Sequence, residues 1–247
     1  MKRISDDFID LIYCDILYGT GNKYDEYADL KVDRKNIKEF YLPRFEEMHR
    51  ILKQTGSVYI QCDWRINHWI RIILDEIFGY KNFRNEIIWC YAGGGIPNND
   101  FPRKHDVILR YSKNDNYFYQ PIYREYSEGT KQRGRTAVKG KYAKIGLRKE
   151  GTPVNDWWYD VPKITSPTDP EKLGYPTQKP EALLERIIKA SSNECDLVAD
   201  FFCGSGTTLA VAKKLGRNFI GCDINKEAVK ITKERLDKID KQRPFGF

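Results

Sequence analysis

Residues 195–225, CDLVADFFCGSGTTLAVAKKLGRNFIGCDIN, carry the clearest fold signal in this 247-residue chain. An apolar run ends at Asp200 and enters a glycine turn, a segment of helical period follows, and a second apolar run leads to Asp223. In a strand–turn–helix–strand unit of this kind, Gly204 and Gly206 allow a ligand to approach backbone N–H groups at the start of the helix. Asp223, nineteen residues past Gly204, stands where a carboxylate reaches ribose hydroxyls. Together these features predict a nucleoside pocket.

Other interpretations of this glycine turn fit less well. The dinucleotide fingerprint requires a third glycine three residues past the second, and Leu209 occupies that position. The turn also lacks the lysine of a nucleotide-triphosphatase loop. A plain strand–turn–helix with a capping Ser or Thr is the structural alternative, and the acid at Asp223 counts against it.

The rest of the chain alternates apolar runs with segments of helical period, which is typical of a mostly parallel sheet with helices on both faces. Residues 114–174 lose this periodicity and gain Gly, Lys, Arg and Tyr. The sequence therefore predicts an α/β domain of residues 1–113 and 175–247, interrupted by an irregular insert at 114–174. Further strands are predicted at residues 8–15, 56–63, 85–91, 105–113 and 217–224, and helices at 34–53, 67–79, 179–192, 209–215 and 226–239.

The composition is that of an ordinary globular protein, with 40% hydrophobic and 31% charged residues. No apolar run approaches the length of a membrane helix, and the N-terminus lacks the pattern of a secretory signal, so we expect a cytoplasmic protein. The six cysteines and three histidines are scattered without a CxxC pair. Neither a zinc site nor a disulfide framework is indicated.

Three stretches resemble motifs of the amino-group DNA methyltransferases. Residues 200–225, which begin DFFCGSGTT, are similar to the cofactor motif of that family, and residues 175–180, YPTQKP, resemble the HPTQKP motif that precedes it. Residues 10–21, DLIYCDILYGTG, resemble the catalytic motif DLIYxDPPYNTG, with Ile16 and Leu17 in place of both prolines. The order of catalytic motif, insert and cofactor motif is that of the family's β group.

This resemblance implies a Rossmann-like methyltransferase fold, S-adenosylmethionine as cofactor and double-stranded DNA as substrate. Carried over to the matching positions, it implies a cofactor site formed by Lys179, Asp200, Phe202, Gly204, Ser205, Gly206, Thr207, Thr208 and Asp223. Related enzymes also have a Gly-Asp motif ahead of the catalytic motif, whose acid contacts the adenine of the cofactor. Either Asp6 or Asp7 supplies this contact here, or it is lost.

The catalytic turn that the resemblance implies consists of Asp15, Ile16 and Tyr18. An exocyclic base amine is a poor nucleophile because its lone pair is delocalised into the ring. Asp15 and the backbone carbonyl of Ile16 would accept its N–H groups and stabilise the charge that develops. Tyr18 would stack on a base that has left the duplex. This chemistry requires no metal. The alternative for Asp15 is a turn acid after a strand, and for Tyr18 a core aromatic.

The insert is expected to contact DNA. Nine Lys and Arg stand against three Glu between residues 121 and 150, in a chain whose net charge is only +7. The resemblance places target recognition in this segment, so its basic residues are expected to neutralise phosphates: Lys131, Arg133, Arg135, Lys139 and Lys141. Tyr123, Tyr126 and Tyr142 are candidates for stacking at the extruded base, and Trp157 and Trp158 are expected to anchor the insert to the core. A solvated basic loop is the alternative.

Two classes of function stay open at this point. The first is a DNA methyltransferase, with adenine N6 favoured over cytosine N4 by the Asp form of the motif and the β-group order. The second is a non-catalytic homologue that binds DNA and cofactor beside an active methyltransferase, and the loss of both prolines favours it. RNA is a further candidate substrate. The sequence does not specify the recognition site, a homodimer or an accompanying restriction enzyme.

Overall fold

The computed structural model describes residues 1–21, 29–135, 139 and 145–242. The chain divides into two compact units, Met1–Tyr119 with Asp156–Phe247, and Gln120–Asn155. The strands are β1 (Ile9–Asp15), β2 (Leu52–Cys62), β3 (Phe83–Cys90), β4 (His105–Ser112), β5 (Tyr123–Arg124), β6 (Thr152–Pro153), β7 (Trp157–Trp158), β8 (Leu197–Asp200) and β9 (Asn218–Gly221). The α-helices are α1 (Arg34–Ile51), α2 (Asn67–Phe78), α3 (Glu128–Arg133), α4 (Glu181–Ser191), α5 (Thr207–Lys214) and α6 (Lys226–Gln242).

The first unit contains a seven-stranded sheet in the order β7-β3-β4-β2-β1-β8-β9. β1 is parallel to β2 and β8, and β8 is parallel to β9. β4 runs antiparallel to both β2 and β3. The strands β1, β2, β8 and β9 therefore end at one edge of the sheet, which we call the carboxyl edge, and β4 begins there. The predicted α/β class with a mostly parallel sheet is confirmed.

Helices cover both faces of this sheet, as predicted. Val58 of β2 packs in one core with Ile37 of α1 and Ile70 of α2. Tyr59, the next residue along the strand, points to the opposite face, because side chains alternate along a strand. Its hydroxyl lies 2.7 Å from Ser191 Oγ of α4. The two helical layers are thus joined through consecutive residues of one central strand.

Each predicted helix and strand is present and differs from the prediction only at its ends, whereas β5, α3, β6 and β7 lie in the segment predicted to be irregular. The strand predicted at 56–63 begins at Leu52, because α1 ends at Ile51 and the chain enters β2 without a loop. The helix predicted at 209–215 begins two residues earlier, at Thr207, directly after the glycine turn. These differences leave the predicted order of elements unchanged.

The second unit is shorter than the predicted insert of residues 114–174. Trp157 and Trp158 form β7, which pairs with the end of β3, so this part of the chain extends the main sheet. Trp89 of β3 also donates a hydrogen bond from Nε1 to the Val161 carbonyl at 2.8 Å. Residues that lack helical or strand periodicity in the sequence are therefore held here by a sheet edge and a buried indole.

The second unit, described by itself, pairs β5 with β6 and contains α3. Gly151 has φ +102°, and a Cβ at this position would lie 2.2 Å from the Arg124 carbonyl oxygen. Only glycine permits this close approach of the two chain segments. Across the residues that the structure describes, no helix is both long and apolar enough to span a bilayer.

Candidate active site

A pocket of about 850 Å³ opens at the carboxyl edge of the sheet. Its walls come from the turns that follow β1, β8 and β9 and from the segment that precedes α4. It is lined by the predicted catalytic residues Asp15, Ile16 and Tyr18 and by the predicted cofactor residues Lys179, Asp200, Phe202, Gly204, Ser205, Thr207, Thr208 and Asp223. Residues from both ends of the sequence thus share one cavity of the size expected for a ligand site.

The glycine turn after β8 is closed by two carboxylates. Asp200 accepts hydrogen bonds from Phe202 N at 3.0 Å and from Thr208 Oγ1 at 2.6 Å. Burial disfavours its charged form and raises the pKa of Asp200 to about 7, although these two hydrogen bonds oppose the rise. Asp223 accepts Gly204 N at 2.9 Å, which ties the end of β9 to the turn.

The two glycines of the turn have different roles. Gly204, with φ +47°, lines the pocket, and a Cβ there would lie 3.1 Å from the Tyr175 ring. Gly206, with φ +74°, is not among the described residues that line the pocket, and its Cβ would lie 2.5 Å from Thr232 Cγ2 of α6. The structure therefore places Gly206 at a helix-packing contact, where the sequence prediction had assigned it to the ligand. A clash within the protein is the physical reason for glycine here.

The catalytic turn after β1 holds Asp15 with side chains from other parts of the chain. The Tyr18 hydroxyl lies 2.7 Å from Asp15 Oδ1, and the Lys179 ammonium donates to Asp15 Oδ2. Burial raises the pKa of Asp15, and the charge and hydrogen bond of Lys179 oppose that rise. Both oxygens of the predicted catalytic acid therefore already accept one hydrogen bond inside the protein.

Backbone contacts hold this turn in the absence of the two prolines. Ile16 is 3% exposed, and its N–H donates to the Gln61 carbonyl at 3.1 Å. Tyr41 of α1 donates from its hydroxyl to the Leu17 carbonyl at 2.9 Å. Asp29 accepts the N–H groups of the next two residues after Tyr18, at 3.0 and 2.8 Å. Packing and three sets of hydrogen bonds thus fix the chain direction after Asp15.

Comparison with known proteins gives the same assignment as the two turns. A family model described as DNA methylase (N6_N4_Mtase) matches residues 9–234. The chain belongs to the N6/N4 DNA methylase family. The predicted family is therefore confirmed, and so is S-adenosylmethionine as its cofactor.

Three similar proteins illustrate this membership. The Type II methyltransferase M.HpaI of Haemophilus parainfluenzae is 35% identical over 238 residues, which cover 96% of this chain and 71% of that protein. The DNA adenine methyltransferase YhdJ of Escherichia coli (strain K12) is 34% identical over 249 residues, covering 96% and 79%. The crystal structure of the M1.HpyAVI–SAM complex superposes with a TM-score of 0.59 at 25% identity, over 96% of this chain and 91% of that one.

The described residues of the methylase pocket fit a nucleoside cofactor. Each Asp223 oxygen accepts one backbone N–H, from Gly204 and from Asn225, and keeps a further lone pair for a ribose hydroxyl. Ile224, which follows Asp223 and also lines the pocket, is 95% exposed and offers an apolar surface to a base. The adenosine part of S-adenosylmethionine requires both kinds of contact.

Four polar residues of the methylase that no sequence motif indicated form a hydrogen-bond network with Tyr18. Asp106, at the start of β4, has Oδ2 at 2.9 Å from the Tyr18 hydroxyl, and Gln61 Nε2 donates to the same oxygen at 2.8 Å. Tyr91 donates to Asp106 Oδ1 at 2.9 Å, and Tyr13 donates to Gln61 Oε1 at 2.6 Å. The one sequence signal was an acid at the start of an otherwise apolar strand, in a segment 88 residues from Tyr18.

The structure bears on two expectations about the cofactor site. Lys179, predicted to bind cofactor, does line the pocket, but its ammonium is bonded to Asp15 and to the Thr177 carbonyl. Asp6 and Asp7 precede β1, at the edge of the sheet opposite the pocket. Asp6 accepts a hydrogen bond from Arg50, and Asp7 accepts hydrogen bonds from Lys113 and Gln54. Neither acid lines the pocket, so neither is placed to contact the adenine of the cofactor.

The basic residues predicted to bind DNA lie in the second unit. Lys131 is paired with Glu125 at 3.1 Å and with Glu128 at 3.0 Å, so its charge is already partly neutralised. Arg133 donates to Thr130 Oγ1 at 3.2 Å. Arg135 and Lys139 are exposed, whereas Lys141 and the stacking candidate Tyr142 lie outside the described residues.

Proposed function

We propose that this chain is an S-adenosylmethionine-dependent DNA methyltransferase that methylates an exocyclic base amine, with adenine N6 as the target. One observation carries the proposal. The pocket that contains Asp223 and Gly204 also contains Asp15, Ile16 and Tyr18. A site that binds a nucleoside at one end therefore presents a carboxylate and an aromatic ring at the other.

The chemistry follows from what these residues can accept. Asp15 and the Ile16 carbonyl take the two N–H groups of the target amine, which draws its lone pair out of conjugation and toward the reacting carbon. The same two acceptors stabilise the positive charge that develops on nitrogen. The Tyr18 ring supports an extruded base by stacking. S-adenosylmethionine supplies the methyl group when it is bound.

The contacts of Asp15 are compatible with this role. Its Oδ1 and Oδ2 each accept one hydrogen bond, from Tyr18 and Lys179. A carboxylate oxygen has two lone pairs, so each can accept one more donor. Burial raises the pKa of Asp15, and the Lys179 ammonium opposes that rise and so favours the ionised form, which accepts an amine hydrogen.

Two features support adenine as the target base. The catalytic motif has the Asp form, and one similar protein is named a DNA adenine methyltransferase. The names of other relatives as Type II methyltransferases support a site-specific enzyme of restriction–modification. Cytosine N4 is the second candidate, because the same acceptors suit either amine. A homodimer and an accompanying restriction enzyme stay open.

The experiment is methyl transfer from labelled S-adenosylmethionine to unmethylated plasmid DNA, followed by analysis of the nucleosides. We expect N6-methyladenine, and a rate reduced about 100- to 1,000-fold in Asp15→Ala, which removes the acceptor of the amine hydrogen. If the methylated nucleoside is N4-methylcytosine, the target base is cytosine instead of adenine. Binding of cofactor and DNA without transfer would identify a non-catalytic homologue, and transfer to RNA alone would overturn the substrate class.

The insert is proposed to contact the DNA backbone, and its charges provide a graded test. Arg133→Gln with Arg135→Gln should reduce the slope of log affinity against log salt concentration by about two units, because each lost phosphate contact removes about one. Lys131→Gln is the matched control, and a smaller change is expected since Glu125 and Glu128 share its charge. An unchanged slope in the double variant would mean that Arg133 and Arg135 make no phosphate contacts and that this segment is a solvated basic loop.

A further inference from the structure

The Tyr18 hydroxyl stands between two carboxylates. It lies 2.7 Å from Asp15 Oδ1 and 2.9 Å from Asp106 Oδ2. A phenol has one hydrogen and can donate it to only one of these oxygens. When both acids are ionised, the other oxygen faces the phenol oxygen with no proton between them. The arrangement therefore has a place for one more proton than two ionised acids and a phenol supply.

Asp106 is held firmly in this position. It is 5% exposed, Gln61 Nε2 donates to its Oδ2 at 2.8 Å, and Tyr91 donates to its Oδ1 at 2.9 Å. Gln61 is fully buried, and the Tyr13 hydroxyl donates to its Oε1 at 2.6 Å. Because every polar group in this set has a partner, the carboxylate has a defined orientation toward Tyr18.

Methyl transfer to the base amine beside Asp15 releases one proton, and this proton can fill the place that the arrangement leaves open. The N–C bond forms as the C–S bond breaks with its electron pair staying on sulfur, and the methylated amine is left with one positive charge and one surplus proton. Asp15 is the acceptor that contacts this amine in the proposed function. Burial raises the pKa of Asp15, which favours proton uptake, while Lys179 on its other oxygen favours its return to the ionised form.

We propose that Asp106 positions Tyr18 and is the terminal acceptor of this proton. The amine proton passes to Asp15 and from there to the Tyr18 oxygen, as the Tyr18 hydrogen passes to Asp106. The step ends with Asp15 ionised, Tyr18 neutral and Asp106 protonated, so Asp15 is ready to release the product. This inference rests on methyl transfer at Asp15 as proposed above.

The test is a double-mutant cycle of Asp106→Asn and Tyr18→Phe, read as the single-turnover rate of methyl transfer to unmethylated plasmid DNA. Tyr18→Phe keeps the stacking ring and removes only the hydroxyl. Each variant should lower the rate about 100-fold, the range of a positioned proton acceptor. Affinities for DNA and for S-adenosylmethionine should stay within about twofold. Because both changes interrupt one relay, the double variant should be no slower than the slower single variant.

The matched control is a second buried Tyr–Asp contact outside the pocket. Tyr111 of β4 donates to Asp75 Oδ1 of α2 at 2.6 Å. Asp75→Asn and Tyr111→Phe should keep the single-turnover rate within about twofold of the wild-type rate. Their effect on the unfolding midpoint shows what loss of a buried Tyr–Asp bond does without a relay.

Three results would overturn the inference, and they differ from a failure of the proposed function. A wild-type rate in Asp106→Asn would remove Asp106 from the reaction. Effects that multiply in the double variant would assign the two residues to separate roles. If Asp106→Asn fails to fold, Tyr18→Phe decides alone, and a wild-type rate in it would exclude the relay. A wild-type protein that forms no methylated base overturns the proposed function instead.

Discussion

The glycine turn and the catalytic turn both hold a carboxylate at the same edge of the sheet, but with different contacts. In the glycine turn, Asp200 accepts hydrogen bonds from Phe202 and Thr208, two and eight residues along the chain. In the catalytic turn, Asp15 is bonded to Lys179, which is 164 residues away. The first turn is therefore specified by a short motif, and the second by the assembly of the whole unit.

This difference shows how the turn after β1 keeps its shape without the two prolines of the family motif. Proline stiffens a turn through its own ring, whereas Ile16 is held by burial and by its N–H bond to Gln61, and Leu17 by the Tyr41 hydroxyl. A proline at position 16 would remove that N–H donor. The stiffness that two prolines give to the family motif is thus supplied here by contacts from outside the motif.

The largest effect on the free energy of unfolding is expected from a substitution at Gly206 in the glycine turn. Gly206→Ala places a Cβ 2.5 Å from Thr232 Cγ2 at a residue with φ +74°, so overpacking and backbone strain should together lower the free energy of unfolding by about 2–5 kcal/mol. Gly216→Ala is the matched control, because Gly216 has the same φ of +74° but only Glu194 Cγ within 4 Å, at 3.9 Å. It should cost about 1 kcal/mol.

Denaturant unfolding of the two variants measures this difference. Equal losses of stability would mean that the backbone angle alone requires glycine at both positions.

The extent to which the site could be predicted from sequence follows the same division. Asp200, Gly204 and Asp223 lie within one strand–turn–helix–strand unit, so their spacing alone predicts a nucleoside pocket. Asp106 reaches Tyr18 only because β4 runs antiparallel to β2 and begins at the carboxyl edge. Strand order and direction are properties of the folded sheet, and no local spacing contains them.

The next effect concerns Asp223, the carboxylate that bonds the glycine turn from the end of β9. Asp223→Ala should weaken S-adenosylmethionine binding by about 1–3 kcal/mol, or roughly 5- to 150-fold, because a charged acceptor for the ribose is lost. Asp196→Ala is the control, since Asp196 also caps a backbone N–H, that of Asn193 at 2.7 Å, but lies outside the pocket. Calorimetry that finds unchanged affinity in a folded Asp223→Ala variant would contradict the pocket assignment.

A separate, pH-dependent effect is expected from the titration of Asp200. Its pKa is raised to about 7 from an ordinary value of 3.8 because it is buried, so the folded protein binds this proton more tightly than the unfolded chain. The contribution of Asp200 to stability is therefore greatest at acid pH and is lost as pH rises from about 4 to about 7, with a slope approaching about 1.4 kcal/mol per pH unit.

Asp200→Asn isolates this contribution from those of other acids. The difference in unfolding free energy between wild type and variant should change across this pH range and become constant above about pH 8. A difference that does not depend on pH would mean that Asp200 is ionised throughout.

The single-turnover methyl-transfer rate of Tyr41→Phe shows whether contacts from outside the motif hold the catalytic turn. Loss of the hydrogen bond to the Leu17 carbonyl, worth about 1 kcal/mol, should slow transfer about fivefold without changing the affinity for S-adenosylmethionine. Tyr111→Phe, which removes the hydroxyl of an equally buried tyrosine away from the turn, should leave the rate unchanged. Equal rates in Tyr41→Phe and wild type, or an equal slowing in Tyr111→Phe, would mean that the Tyr41 hydrogen bond does not hold the catalytic turn.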